Sequence, residues 1–325
     1  MKHGAGTLAC ALIALSLSHG HVSRQQPTFR GAVDLVTVNA SVQDGLRVVT
    51  GLEASDFQVQ DNGVPQAVAT ISYGKLPIDV TVALDVSGSV SGAPLARLQH
   101  GVLQLQADLS KDDRLKLMAF SQVSRRIVDF SADPQAIEEA VTNLSGSGGT
   151  AIFDALTVAM LAPTDPNRRQ LVTVFTDGAD NVSVTEPGPL LEAGRRAQAS
   201  ITAVLPLAVL SEAGLAPPLG AGRFTGMPPA RISRPPGERP ETVLSQQARL
   251  IDQLVTLTGG RLIGDPGPPV DLGTSFRQAL DAFRSSYVLY FTPRGVERGG
   301  FHTLHVTVRG HARYTIRARS GYFGT

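Results

Sequence analysis

The chain has 325 residues, 42% of them apolar, which is enough for one large domain with smaller modules and a packed core. It carries 29 basic against 28 acidic residues, a net charge of +1, with no basic block or stripe, so neither nucleic acid nor an anionic membrane is expected as its main partner. Aromatics are 5% and Trp is absent, so the core must rest on Val, Leu, Ile and Ala.

At the start, Lys2 and His3 precede the apolar run TLACALIALSLS, and Ser18 and Gly20 stand at small-residue cleavage positions before His21. This order reads as a secretory signal peptide over residues 1–20, since the run is too short to span a bilayer. A buried first helix is the alternative. Cys10, the one cysteine, lies early in the run, where a lipoprotein anchor fits badly. The mature chain would then hold no disulfide, which suits a bacterial envelope or secreted protein. No later segment is long and apolar enough to span a membrane.

Residues 30–75 read as a β segment. Val36, Val38, Ala40 and Val42 alternate with polar residues, the period of a half-buried strand. The turns Asp44-Gly45 and DNG at 61–63 separate this strand from DFQVQ and PQAVATIS.

From 77 to 265 strands alternate with helices. Strand IDVTVAL leads to a helix over 93–109 with Leu95, Leu98, Val102, Leu105 and Leu109 on one face. Strands RLKLMAF and RRIVDF, helix DPQAIEEAVTNL, the loop SGSGGT and helix AIFDALTVAM follow. Strand QLVTVF ends in TDGADN; helix PLLEAGRRAQA, strand ITAVLPL, helix VLSQQARLIDQLVTLT and strand RLIG complete the unit. Gly259-Gly260 is a C-terminal stop for the long helix. The expected fold is α/β, a doubly wound, mostly parallel six-stranded sheet with helices on both faces. A Pro- and Gly-rich insertion over about 208–241 interrupts it, with seven prolines between Pro217 and Pro240. It leaves the carboxyl edge of the sheet as a lid carrying Glu212 or Glu238, as a rim that selects partners, or as a solvated loop with no role. Residues 271–325 add a helix and the strand candidates YVLYFTP, FHTLHVTV and ARYTIRAR. The two β flanks are candidates to pair into one sandwich with the α/β unit inserted between them.

Ligands of open α/β sheets bind beyond the carboxyl ends of the strands. Three polar segments fall on that edge: Asp85-x-Ser87-x-Ser89 in LDVSGSVSG, Thr150 in SGSGGT, and Asp177 in FTDG. Together they offer two carboxylates and three hydroxyls, with no thiol or imidazole. That set suits a hard divalent cation, Mg²⁺ or Mn²⁺, with Ca²⁺ less suited. Two aspartates balance the charge, neutral hydroxyls leave the ion electrophilic, and a vacant position attracts a carboxylate from outside. Each residue also has a local reading: an Asx turn for Asp85, helix caps for Ser89, Ser91 and Thr150, an ordinary turn for Asp177-Gly178.

These five positions resemble the metal-ion-dependent adhesion site of von Willebrand factor A-type domains: D-x-S-x-S, a distant Thr and a distant Asp before Gly, in order and after the expected strands. The resemblance covers about residues 77–265. More narrowly, the chain is similar to an acidobacterial von Willebrand factor A-related family in GLEASDFQVQDNGVPQ, in TGG at 258–260 and in RSGYF near the end. The resemblance implies an exported, metal-dependent protein-binding module with metal ligands Asp85, Ser87, Ser89, Thr150 and Asp177. Its partner would be a protein supplying an Asp or Glu to the metal.

Enzymatic readings fare worse. GSGGTA at 146–151 fits G-x-G-x-x-A but follows a helix rather than a strand, and no lysine follows the glycines as a P-loop needs. GSVSG places valine where a nucleophile elbow needs serine. His100 is the one histidine of the α/β region; His302 and His305 point to opposite faces of a strand and read as surface residues. No base can be placed beside the metal ligands, so no catalytic role is expected. The alternative is a structural envelope module whose metal only holds loops together.

Overall fold

The computed structural model describes residues 35–74, 76–161, 165, 167–177, 180–215 and 242–324. The signal-peptide reading and most of the Pro-rich insertion, Glu238 included, lie outside the described residues.

In chain order the strands of the amino-terminal segment are β1 (Val36–Asp44), β2 (Arg47–Val48), β3 (Phe57–Asp61), β4 (Val64–Gln66) and β5 (Thr70–Tyr73). The central unit contains β6 (Ile78–Asp85), α1 (Ala93–Ala107), β7 (Arg114–Phe120), β8 (Ser124–Ser131), α2 (Pro134–Thr142), α3 (Ile152–Met160), β9 (Arg169–Phe175), α4 (Pro187–Arg196), β10 (Ser200–Pro206), α5 (Leu207–Glu212), α6 (Val243–Thr258), β11 (Arg261–Asp265) and α7 (Leu272–Arg284). The chain closes with β12 (Tyr287–Phe291), β13 (Phe301–Val308), β14 (Thr315–Ala318) and β15 (Gly321–Phe323).

The central sheet has six strands in the order β11-β10-β9-β6-β7-β8. All pairs are parallel except β7 with β8. Every residue of β6 and β9 is buried, as in a parallel sheet covered on both faces. One face packs against α1, α2 and α7 through Leu98, Val102, Ile137, Val141 and Phe276; the other packs against α3, α4, α5 and α6 through Leu156, Leu190, Leu210, Ile251 and Leu254. Helix α7, expected with the carboxyl-terminal β segment, thus belongs to a layer of the α/β unit. Its Leu272, Phe276, Leu280 and Phe283 supply an apolar stripe that the sheet face buries.

The β flanks pair with each other. β1 lies between β12 and β14, and β12 also pairs with β5; β13 lies between β3 and β15. Both sheets face a shared core of Val38, Val42, Phe57, Val59, Leu289, Phe291, Leu304 and Val306. His302, read from sequence as a surface residue, is buried instead. The alternation of β13 turns it inward with Leu304 and Val306, and Asp61 and Tyr322 meet it there. Buried polar side chains are tolerated where partners satisfy them. His305, on the other face, is exposed.

Buried and half-buried arginines fasten this sandwich to the amino edge of the central sheet. Arg169, the first residue of β9, donates to Asn39 of β1, to the Phe283 carbonyl and to Ser286. Arg261, the first residue of β11, reaches Ser41 of β1. Arg319 donates to the carbonyls of Gly321, Arg195 and Ala197. Burial lowers the guanidinium pKa of Arg169 and of Arg319 to about 10. The segments TGG and RSGYF meet at this junction. Gly259 caps α6 with φ of +71°, and a Cβ there would stand 2.5 Å from the Arg319 nitrogen. Only glycine combines that backbone with that approach. The carboxyl edge of the sheet faces away from the sandwich.

Candidate metal centre

The strand order reverses between β6 and β9, the place where open α/β sheets bind ligands. Parallel register sets Leu84 beside Phe175, so the next residues, Asp85 and Thr176, emerge side by side. Asp85 is completely buried. Its Oδ1 accepts the Ser87 N–H at 2.9 Å and its Oδ2 accepts the Thr176 hydroxyl at 2.6 Å. The Asx-turn reading of Asp85 is therefore true as local geometry, and it aims the carboxylate along the loop.

The other sequence-derived residues gather around it. The Ser87 and Ser89 hydroxyls are 3.1 Å apart, and Ser89 donates to Asp177 Oδ1 at 3.1 Å. Ser87 is buried, Ser89 exposed and Asp177 half-buried. Thr150 arrives on the loop between α2 and α3, held by backbone bonds from Ser147 N–H to the Val86 carbonyl (2.8 Å) and from Gly88 N–H to the Gly148 carbonyl (2.9 Å). A Cβ on Gly146 would stand 2.5 Å from the Val90 carbonyl oxygen, so the two loops interlock only with glycine there.

The local cap readings fail. The N-cap of α1 is Gly92, and the Ser91 hydroxyl bonds the Gly88 carbonyl. The N-cap of α3 is Ala151, not Thr150. The first N–H groups of α3 are satisfied from another loop: Phe153 N–H donates to Asp180 and Asp154 N–H to Ser183. The Thr150 main chain is clamped by Asn181, whose Oδ1 accepts the Thr150 N–H at 2.9 Å and whose N–H donates to the Thr150 carbonyl at 3.0 Å. The Thr150 hydroxyl takes no part in these bonds.

Thr176, Asn181 and Asp180 are the positioning residues that motif reading missed. Gln247 of α6 joins them, exchanging two bonds with the Asp180 main chain. A hydroxyl directly before Asp177 and an Asn four residues after it were the available signals.

Burial pushes the Asp85 carboxyl above its ordinary value and the Asp177 charge adds to this, against hydrogen bonds from Ser87 and Thr176. A buried carboxylate near a second one is relieved either by a proton or by a cation. Among the described residues no group of three or more His, Cys, Asp or Glu converges, so any cation here would rest on the two carboxylates with the Ser87, Ser89 and Thr150 hydroxyls, all oxygen. That set fits a hard divalent ion. Glu212 lies outside it: its carboxylate accepts the Thr242 hydroxyl at 2.6 Å, beside the start of α6.

Residues 80–179 match the von Willebrand factor type A domain family. The central unit contains a von Willebrand factor type A domain match over these residues. Over 162 residues the chain is 26% identical to inter-alpha-trypsin inhibitor heavy chain H4 of Sus scrofa, covering 46% of this chain and 17% of that protein. Over 108 residues it is 32% identical to an uncharacterized protein of Synechocystis sp., covering 32% of this chain and 26% of that one. The alignments therefore span 17% and 26% of these relatives' length. Among solved structures it is similar to the PilB minor pilin from Streptococcus sanguinis, with a TM-score of 0.45 and 13% identity, covering 65% of this chain and 62% of that one. Among the described residues no helix of the von Willebrand factor A-type domain or its flanks is long and apolar enough to cross a membrane.

Proposed function

We propose that this chain is an exported, non-enzymatic protein-binding module of adhesion type. Asp85, Ser87, Ser89, Thr150 and Asp177 hold one divalent cation, Mg²⁺ or Mn²⁺, directly or through water. When bound, the ion supplies a Lewis-acidic position that takes one carboxylate oxygen from an Asp or Glu of a partner protein. Asp85 and Asp177 balance its charge, Ser87 and Ser89 orient the loop toward Asp177, and Asn181 holds Thr150 in place. The observation that carries the reading is the completely buried Asp85 carboxylate, raised in pKa by burial and by Asp177, at the switch point of a von Willebrand factor A-type sheet. Export rests on the basic, apolar and small-residue order of residues 1–20.

A second reading, a structural envelope module, is favoured by the Ser87–Ser89–Asp177 contacts, which already join the loops after β6 and β9. Chelation separates the two. Partner proteins captured on the Mg²⁺-loaded chain should elute with EDTA, with the far-ultraviolet circular dichroism unchanged. Asp85→Ala should abolish this metal-dependent capture with little loss of fold. Loss of fold on chelation, with capture intact wherever the fold survives, supports the structural module instead.

A further inference from the structure

Strand alternation sorts β1 into two faces. Val38, Ala40 and Val42 enter the sandwich core, so Asn39, Ser41 and Gln43 point the other way, toward the amino edge of the central sheet. Three neighbouring strands begin at that edge: β11 with Arg261, β10 with Ser200 and β9 with Arg169. Arg169 donates to Asn39 and Arg261 to Ser41 across the seam. At the same seam lies a cavity of about 20 Å³, whose walls include Asn39, Ser41, Ser200, Thr202, Arg261 and Ser286.

The charge at this seam is one-sided. Among the described residues Arg169 and Arg261 donate only to carbonyls, hydroxyls and side-chain amides, never to a carboxylate. Arg317 of β14 stands opposite Ser41 and adds a third cation. Burial lowers the guanidinium pKa of Arg261, and the Arg317 charge lowers it further. Arginine keeps its proton at neutral pH, so relief comes from solvent or from an anion. The lining favours the anion. Thr202 is 3% exposed, and its hydroxyl has no partner among the described residues. The Ser41 oxygen accepts from Arg261 and Asn39 Oδ1 from Arg169, which leaves the Ser41 proton and Asn39 Nδ2 free to donate. Ser200 and Ser286 give their protons to the carbonyls of Thr258 and Phe283. No described carboxylate lines the space. A cavity of this size takes one water-sized particle, close to chloride and smaller than sulfate or phosphate.

We propose that this cavity binds one small monatomic anion, chloride, between β1 of the sandwich and the amino ends of β10 and β11. Arg261 supplies the charge. Ser41, Thr202 and Asn39 supply hydrogen bonds, and Arg169 holds Asn39 and Ser286 in place. The ion ties the β flanks to the central unit, so the stability of their junction follows the chloride concentration. The site lies at the edge of the sheet opposite Asp85 and does not depend on a cation there.

The test is thermal melting of the full chain in EDTA, with sodium chloride replacing sodium gluconate stepwise at fixed ionic strength, beside the linewidth of the chloride NMR signal. Chloride should raise the melting temperature along a saturating curve, by about 2–4 °C at about ten times its Kd. Bromide should do the same, and sulfate should not. The parent protein should broaden the chloride line, and bromide should reverse the broadening. Arg261→Gln and Thr202→Val should each lose both effects. Thr202→Val keeps the shape of the side chain and removes a hydroxyl with no protein partner, so its fold should persist. Equal melting temperatures in chloride and gluconate, a rise that sulfate reproduces, or a rise and broadening that both variants retain overturns the proposal. EDTA is present throughout, so neither result bears on the metal reading.

Discussion

Asp85→Asn separates the two opposing roles of the buried carboxylate. The amide keeps the shape of the side chain and can still accept the Ser87 N–H. It removes a charge that is completely buried and that faces Asp177. A buried charge without its counter-ion costs roughly 3–5 kcal/mol. The two bonds from Ser87 N–H and the Thr176 hydroxyl return roughly 1.5 kcal/mol each at the low end of charge-assisted strength. The balance leaves the metal-free carboxylate costing about 1 kcal/mol, so in EDTA the variant should melt about 2–4 °C above the parent. A cation reverses the order. At a hundred times its Kd it stabilises the parent by about 2.7 kcal/mol, or about 5–10 °C, and should leave the variant unmoved. Thermal melts of both proteins across a Mg²⁺ titration should therefore cross. A variant less stable than the parent in EDTA, or shifted equally by Mg²⁺, would refute the reasoning.

Asn181→Ala should weaken Mn²⁺ binding by about tenfold or more without changing circular dichroism, because the Thr150 N–H loses its acceptor and the loop its clamp; unchanged affinity on titration would contradict this. The folded Asp85 carboxyl is raised above its unfolded value, so in metal-free protein its contribution is fully present below the unfolded value and is lost as pH rises through the folded one. Cation binding needs the ionised form, so the melting-temperature gain from Mg²⁺ should grow with pH across that window and then level off; a gain independent of pH would count against it. Arg169→Leu should lower urea stability by about 2–4 kcal/mol, because the Phe283 carbonyl, Ser286 and Asn39 lose a shared donor at a buried junction. Unchanged urea midpoints would show that the sandwich does not depend on this arginine.

The central sheet was legible because β6 and β9 are short strands rich in Val, Leu and Ile, and the helices between strands showed one-sided stripes. The site was legible because its ligand candidates sit at strand ends, where the register of β6 and β9 brings Asp85 and Asp177 to one edge. What sequence could not show was tertiary. Thr150 looked like a helix cap, but α3 takes Asp180 and Ser183 from a loop about thirty positions away. His302 read as a surface residue because its partner Asp61 lies 241 positions distant. The placement of α7 depended on which apolar face was left uncovered, and no local pattern records that. Arg169 and Arg319 are buried only because the sandwich closes over them, and no local pattern records that either.

The most direct measurement is electron paramagnetic resonance of Mn²⁺ titrated into the protein, beside Asp85→Ala and Asp177→Ala. One Mn²⁺ site is expected in the parent, displaced by Mg²⁺ and weakened in both variants. Free Mn²⁺ signal at every ratio in the parent, or uptake that neither substitution alters, would contradict it.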